Sequence, residues 1–261
     1  MKRPVKYLLL LCNIIMVTNL SSQTKRINPD RPGFLTGTYV VKNGLYLETG
    51  YQYSVDRLND KTAISAYPNI NIRFGLADKL EMFVKWDGWE VSQRYNRDFS
   101  KAFDRTSEVS LPGAGWKYRL TNWDDNSLTL IGIVDAVEMN GAVCVEPSLA
   151  VSWENSLGSK FRLYGIEQVV LEKSISGKIG VLVSGIGLNC DFTPRLQSFA
   201  EYFNKVNADN QRTTHGCEFG WMYTLTQDIQ VDLYGGFLFH NEAVNYIGFG
   251  FSQRLNSRKK Y

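Results

Sequence analysis

Histidine, cysteine and long apolar runs are scarce in this chain, and each shortage closes off a class of protein. His215 and His240 are the only imidazoles. A serine nucleophile needs a base and an orienting group held beside it. Glu218 is near His215 but on the other face of its strand, Asn241 and Glu242 follow His240, and no serine accompanies either in a recognisable motif. The chain therefore reads as a non-enzyme. Of the four cysteines, Cys12 lies in the apolar leader, while Cys144, Cys190 and Cys217 are odd in number and widely spread. That spacing argues against a disulfide framework and against a metal knuckle. Phosphate-loop, H-E-x-x-H, C-x-x-C and calcium-loop patterns are missing too, so no metal and no cofactor is expected.

Excess positive charge is confined to the N-terminus. The formal net charge is +3, and Lys2, Arg3 and Lys6 supply it, leaving the rest of the chain neutral. A neutral chain lacks the basic stripe that nucleic acid requires. Those three residues precede a mostly apolar stretch, Tyr7 to Val17, and Ser21-Ser22 offers a small-residue cleavage site. Residues 1–22 therefore read as a cleaved signal peptide. Leu11 stands before Cys12 where a lipoprotein signal wants a small residue, which argues against lipidation. No apolar run in the chain reaches the roughly 20 residues of a membrane-spanning helix.

Aromatic residues (13%) and glycine (22 residues) are plentiful, and they fall into a period of two. The clearest case is the last fifth of the chain. Phe219, Trp221, Tyr223 and Leu225 alternate with Glu218, Gly220, Met222 and Thr224. Ile229, Val231 and Leu233 alternate with Gln230, Asp232 and Tyr234, and Ile247, Phe249 and Phe251 with Gly248, Gly250 and Ser252. Such alternation marks strands with one greasy and one polar or small face. Leu45 to Tyr53, Ile64 to Phe74, Leu80 to Asp87, Trp116 to Leu120 and Val145 to Glu154 repeat it. The alternation is poor in 161–170 and ambiguous in 177–190, and Pro112-Gly113 suggests a bulge or kink.

An exported, aromatic-rich chain without a spanning helix has one membrane option, a closed barrel that bonds every backbone group within its wall. The pattern predicts an all-β, single antiparallel transmembrane β-barrel of about 12 strands over residues 44–255. Residues 23–43 form a polar lead and residues 256–261 a polar tail. Connections near 57, 97, 140, 173, 209 and 242 read as longer polar breaks, with 90–105 the longest polar stretch. Those near 77, 124, 158, 192 and 227 read as mostly tighter turns. Sorting of loops by parity is the habit of outer-membrane barrels, and even parity returns both termini to the periplasmic side. A soluble periplasmic sandwich is the competing reading.

Asp30-Arg31-Pro32-Gly33-Phe34, followed by Gly44-Leu45-Tyr46-Leu47-Glu48-Thr49-Gly50-Tyr51-Gln52-Tyr53, resembles the start of a bacterial outer-membrane family. Its label ties it to the meta-pathway of phenol degradation, and its members are usually called transporters. Gly115 to Leu120, Phe199 to Phe203 and Gln230 to Gly236 resemble later parts of the same family, in order. The resemblance implies a barrel and an uptake or channel role for small molecules, hydrophobic and aromatic ones included. It implies no defined substrate. The tail Asn256 to Tyr261 departs from barrels that stop on the last aromatic.

If leucine, phenylalanine and tryptophan face lipid, the opposite parity faces a lumen. Glu48, Arg73, Lys85, Lys117, Arg119, Glu201, Asp232 and Arg254 are the candidate lining and constriction residues, and oppositely charged members would pair there. Asp30, Arg31 and Pro32 belong to a segment, 29–36, expected to fold back as a plug and pair with wall charges such as Glu48, Glu201 or Arg254. The expected location is the bacterial outer membrane, with its lipids and a small-molecule solute as partners. Passive passage or uptake of small molecules is the leading function. A plugged structural or surface-binding barrel, with 90–105 as contact surface, is the alternative, and an outer-membrane hydrolase a remote one.

Overall fold

Alternation becomes strand from Leu45 to Leu255 among the residues that the computed structural model describes, which are 30, 44–58, 61–96, 102–123, 126–139, 141–174, 177–208, 213–239 and 244–255. β1 (Leu45–Leu58), β2 (Lys61–Ala77) and β3 (Leu80–Trp86) come first. β4 (Trp89–Asn96), β5 (Ala102–Val109), β6 (Gly113–Trp123) and β7 (Asn126–Met139) follow. β8 (Ala142–Leu157), β9 (Phe161–Ser174) and β10 (Gly177–Asp191) are long. β11 (Leu196–Asn207), β12 (Thr213–Thr226), β13 (Ile229–Phe239) and β14 (Val244–Leu255) complete the set. No helix among the described residues is long and apolar enough to cross a membrane.

The strands close on themselves. β1 pairs antiparallel with β14, from Leu45↔Leu255 to Val55↔Asn245, and with β2 on its other side. Fourteen strands make twelve staves, because two staves are broken once each. β3 and β4 pair in turn with the two halves of β2, and β6 and β5 pair with β3 and β4. Closure leaves the main ring without a sheet edge, the condition for sitting in lipid. Leu45 and Leu255 lie side by side on one rim, here called the terminal rim.

The two breaks sit together. Gly88 has φ +78, and a Cβ there would lie 1.9 Å from the Pro68 carbonyl oxygen, so glycine is required. Ser110 binds the Gly88 carbonyl with both its amide (2.9 Å) and its hydroxyl (2.8 Å). Trp86 Nε1 donates to the Ser110 carbonyl at 2.9 Å. Pro112 offers no amide to the ladder. Outward of the break, the β6–β7 ladder stops at Gly113↔Asp135, and β5 pairs with β4 alone. The outer part of β7 and the free edge of β5 therefore flank a cleft of about 990 Å³.

Two expectations need correction. The stretch 90–105 is not a polar loop: β4 and β5 carry the sheet through most of it, helped by the opposed pair Arg94 and Asp104. Nor are all the connections at the far rim long. Those at 59–60, 140–141 and 175–176 span two residues each, because backbone pairing continues through polar hairpin ends. Polar side chains there end the apolar belt, and the ladder does not need them to be apolar.

Leu149, Ile186, Phe219, Trp221, Leu233 and Phe249 are all exposed on the outer face. A belt this large and apolar belongs against acyl chains. The inner face is not purely polar, however. Phe83, Ile131, Ile133, Ala150, Tyr164, Ile166 and Phe203 form a buried cluster, with Leu238 packed against it. The assumption that greasy residues face out and charged ones in thus fails across β7 to β10. Where both faces are apolar, a period of two has no contrast to show.

One outward carboxylate interrupts the belt. Glu167, midway along β9, is exposed and accepts a hydrogen bond from Ser184 on β10. An acidic group against lipid costs less than the roughly 2–4 kcal/mol of a basic one, but it is a cost. Glu167→Leu is expected to raise the thermal unfolding temperature of the folded protein in lipid, with a smaller gain in detergent.

Candidate functional site: the lumen

The lumen is organised around Arg73 on β2, which is fully buried. Its Nε and Nη2 reach Glu81 Oε1 and Oε2 at 2.7 and 2.9 Å, the two parallel bonds that only a guanidinium supplies. Its Nη1 binds Glu48 Oε1 at 2.9 Å. Glu48 and Glu81 are themselves fully buried. The Tyr46 ring lies 5.6 Å from the guanidinium carbon, within cation–π range. One residue of the lead joins this group. Asp30 Oδ1 lies 3.4 Å from Arg73 Nη1 and also pairs with Lys117 Nζ, while its amide donates to Glu48 Oε1 at 3.1 Å. Lys117 is fully buried and stands directly opposite Glu81 across β3–β6.

A second device repeats around the wall. Tyr164 on β9 lies over Gly187 on β10 and donates to Glu201 on β11 at 2.7 Å. Tyr246 on β14 crosses Gly236 on β13 to reach Glu218 on β12 at 2.6 Å. Tyr234 on β13 crosses Gly248 to reach Gln52 on β1 at 3.2 Å. Lys85 on β3 crosses Gly113 on β6 to pair with Asp135 on β7 at 2.9 Å. In each row the middle position must lack a side chain. A Cβ at Gly187 would lie 2.3 Å from the Tyr164 ring, and one at Gly113 would lie 2.1 Å from Asp135 Oδ1.

The candidate residues thus separate into groups. Glu48, Arg73 and Lys117 meet, joined by Asp30 and Glu81. Arg119, Glu201 and Asp232 are buried on the inner side, away from the Arg73 bonds just described. Lys85 stands apart at the foot of the cleft with Asp135. Arg254 lies one strand from Arg73, since Tyr46 stands directly opposite Arg73 on one side and Arg254 on the other. It sits at the terminal rim, binding Asp228 Oδ1 at 2.7 Å and the Gln227 carbonyl at 2.8 Å. Asp30 pairs with Arg73 and Lys117 instead of Arg254, while Arg31 and Pro32 lie outside the described residues.

The interior tyrosines Tyr164, Tyr234 and Tyr246 are absent from the candidate lining set, which holds charged residues alone, although Tyr234 shares the polar face of its strand with Gln230 and Asp232. Their signal was a glycine at the register position beside each. His215 faces outward, its Nδ1 2.6 Å from the Tyr202 hydroxyl and the two rings stacked. His240 lies outside the described residues. Among the described residues Cys144, Cys190 and Cys217 form no disulfide.

A closed ladder, an apolar belt and a charged, hydrogen-bonded interior together define a membrane-spanning β-barrel. No family profile and no curated protein matches the sequence. Solved structures do share the fold. The COG4313 outer membrane channel from Pseudomonas putida F1 is 14% identical, with a TM-score of 0.64 over 86% of this chain and 99% of the channel. The transport unit of the autotransporter AIDA-I from Escherichia coli is 12% identical, with a TM-score of 0.55 over 84% and 93% of the two chains. The NanC porin is 10% identical, with a TM-score of 0.55 over 81% and 100%.

Proposed function

We propose that this protein is a bacterial outer-membrane channel through which small molecules pass passively, with both termini periplasmic and residues 29–36 closing the terminal rim. The observation that carries the reading is Asp30, held by Arg73, Lys117 and Glu48 inside a closed ring of twelve staves. A twelve-stranded barrel lies between the filled eight-stranded and open sixteen-stranded cases, so a short lead is enough to close it. The interior apolar cluster and the resemblance to the phenol-pathway family extend the proposed solutes to hydrophobic and aromatic molecules.

The test is liposome swelling with the purified full chain and with a variant lacking residues 29–36. The variant is expected to pass small sugars faster than the parent and to show higher single-channel conductance. Equal conductance removes the plug from the account. No flux of any small solute through either protein leaves the plugged structural barrel as the better reading, with the β4–β5 hairpin as its outward surface.

A further inference from the structure

Acidic residues on the inner side and at the cleft outnumber basic ones, and their register makes the imbalance more than a count. Among the described residues the buried charges are Glu48, Glu81, Glu201, Glu218 and Asp232 against Arg73, Lys117 and Arg119. That is five carboxylates to three cations, an excess of two negative charges before Asp30 adds another. The cations lie on two staves separated only by β3, since Arg73 is on β2 and Lys117 and Arg119 are on β6. Glu201, Glu218 and Asp232 lie on β11, β12 and β13.

The cleft between β5 and β7 is more one-sided. Asp87, Glu90, Glu108, Asp135, Glu138 and Glu146 line it. Lys85 answers Asp135, but six carboxylates surround a cavity of about 990 Å³. Two of its pairs are directly opposed in the ladder, Glu90 with Glu108 and Asp135 with Glu146. A third opposed pair, Glu201 with Glu218, faces the lumen. Like charges directly across a ladder destabilise it. Lys85 meets Asp135, and Tyr164 and Tyr246 donate to Glu201 and Glu218, yet the carboxylates still outnumber the cations seen beside them. A low-dielectric wall lined by one sign of charge concentrates the opposite sign in the passage it encloses.

We infer that the pore admits positively charged solutes, those carrying ammonium or guanidinium groups, in preference to anions, and that the β5–β7 cleft gathers them. This rests on the channel reading above. In the geometry of the wall, the cleft raises the local concentration of cations, and the Glu201–Glu218 pair carries the preference inward.

The experiment is a planar bilayer holding the full chain under a KCl gradient, then under a choline chloride gradient. The expected zero-current potential corresponds to cations favoured over chloride by about tenfold at about 0.1 M salt. Raising the salt to about 1 M shortens the Debye length from about 10 Å to about 3 Å and should reduce the ratio severalfold. The double variant Glu90→Gln/Glu108→Gln should still form a conducting channel, with both the ratio and the cation current lowered severalfold at low salt. The variant Glu201→Gln/Glu218→Gln tests the inner pair in the same way. A conducting channel with a ratio near one, or with anions favoured, overturns the inference and leaves the channel reading intact. A ratio unmoved by the Glu90/Glu108 variant overturns the role of the cleft. If the full chain does not conduct, the same gradients are applied to the variant lacking residues 29–36, and absence of conductance in both overturns the channel reading itself.

Discussion

Arg73→Ala should be the most damaging single substitution in this barrel, lowering stability by about 3–5 kcal/mol. Arg73 bonds both Glu48 and Glu81, and all three side chains are fully buried. Removing it leaves two carboxylates beside Asp30 with no guanidinium to meet them, which costs more than the pairs contribute when intact. The readout is the gel shift between folded and boiled protein, followed as a function of temperature in detergent. Arg73→Lys keeps the charge but loses the two parallel bonds to Glu81, so it should fall between parent and Arg73→Ala. The triple variant Arg73→Met/Glu48→Gln/Glu81→Gln should recover much of the loss, because no ionised group of the triad is then stranded. If the triple variant is as unstable as Arg73→Ala, the damage comes from packing around the arginine and not from orphaned charge.

The same network shows how far the sequence could be read. Glu48, Arg73 and Lys117 stand among greasy neighbours at every second position, so period two alone points them inward. Which of them touch is a matter of register between strands, and register is set by ladders that no single strand encodes. Lys85 illustrates this: its partner Asp135 is 50 residues on, two strands away, across a glycine. Arg254 is a second case, since its partner Asp228 lies 26 residues back in the turn before β13. In β9 and β10 the interior is apolar as well as the exterior, so Tyr164, Ile166, Val181 and Val183 are buried without any alternation to announce them. In β4 and β5 both faces carry polar residues, and the contrast vanishes from the opposite direction. Strand number survived these losses because the broken staves still count as two.

The glycine rows give the second large effect. Gly187→Ala is expected to cost about 1–3 kcal/mol, the range for leaving a buried acceptor without its donor. The new Cβ would stand 2.3 Å from Tyr164 Cζ and 2.6 Å from its hydroxyl oxygen. The ring must swing away, and its bond to Glu201 goes with it. Tyr164→Phe removes the same bond while leaving the ring over the glycine, so it isolates the hydrogen bond from the steric clash. If the row acts as one unit, the double variant Gly187→Ala/Tyr164→Phe should lose clearly less than the sum of the two singles. Full additivity would mean that the glycine serves only local packing. Gly236→Ala with Tyr246→Phe repeats the cycle on β12 to β14, where Tyr246 reaches Glu218 over Gly236. Agreement between the two cycles would make the glycine a means of carrying a side chain across one strand to the next. A barrel interior needs such reach, because direct neighbours in the ladder are often of the same charge.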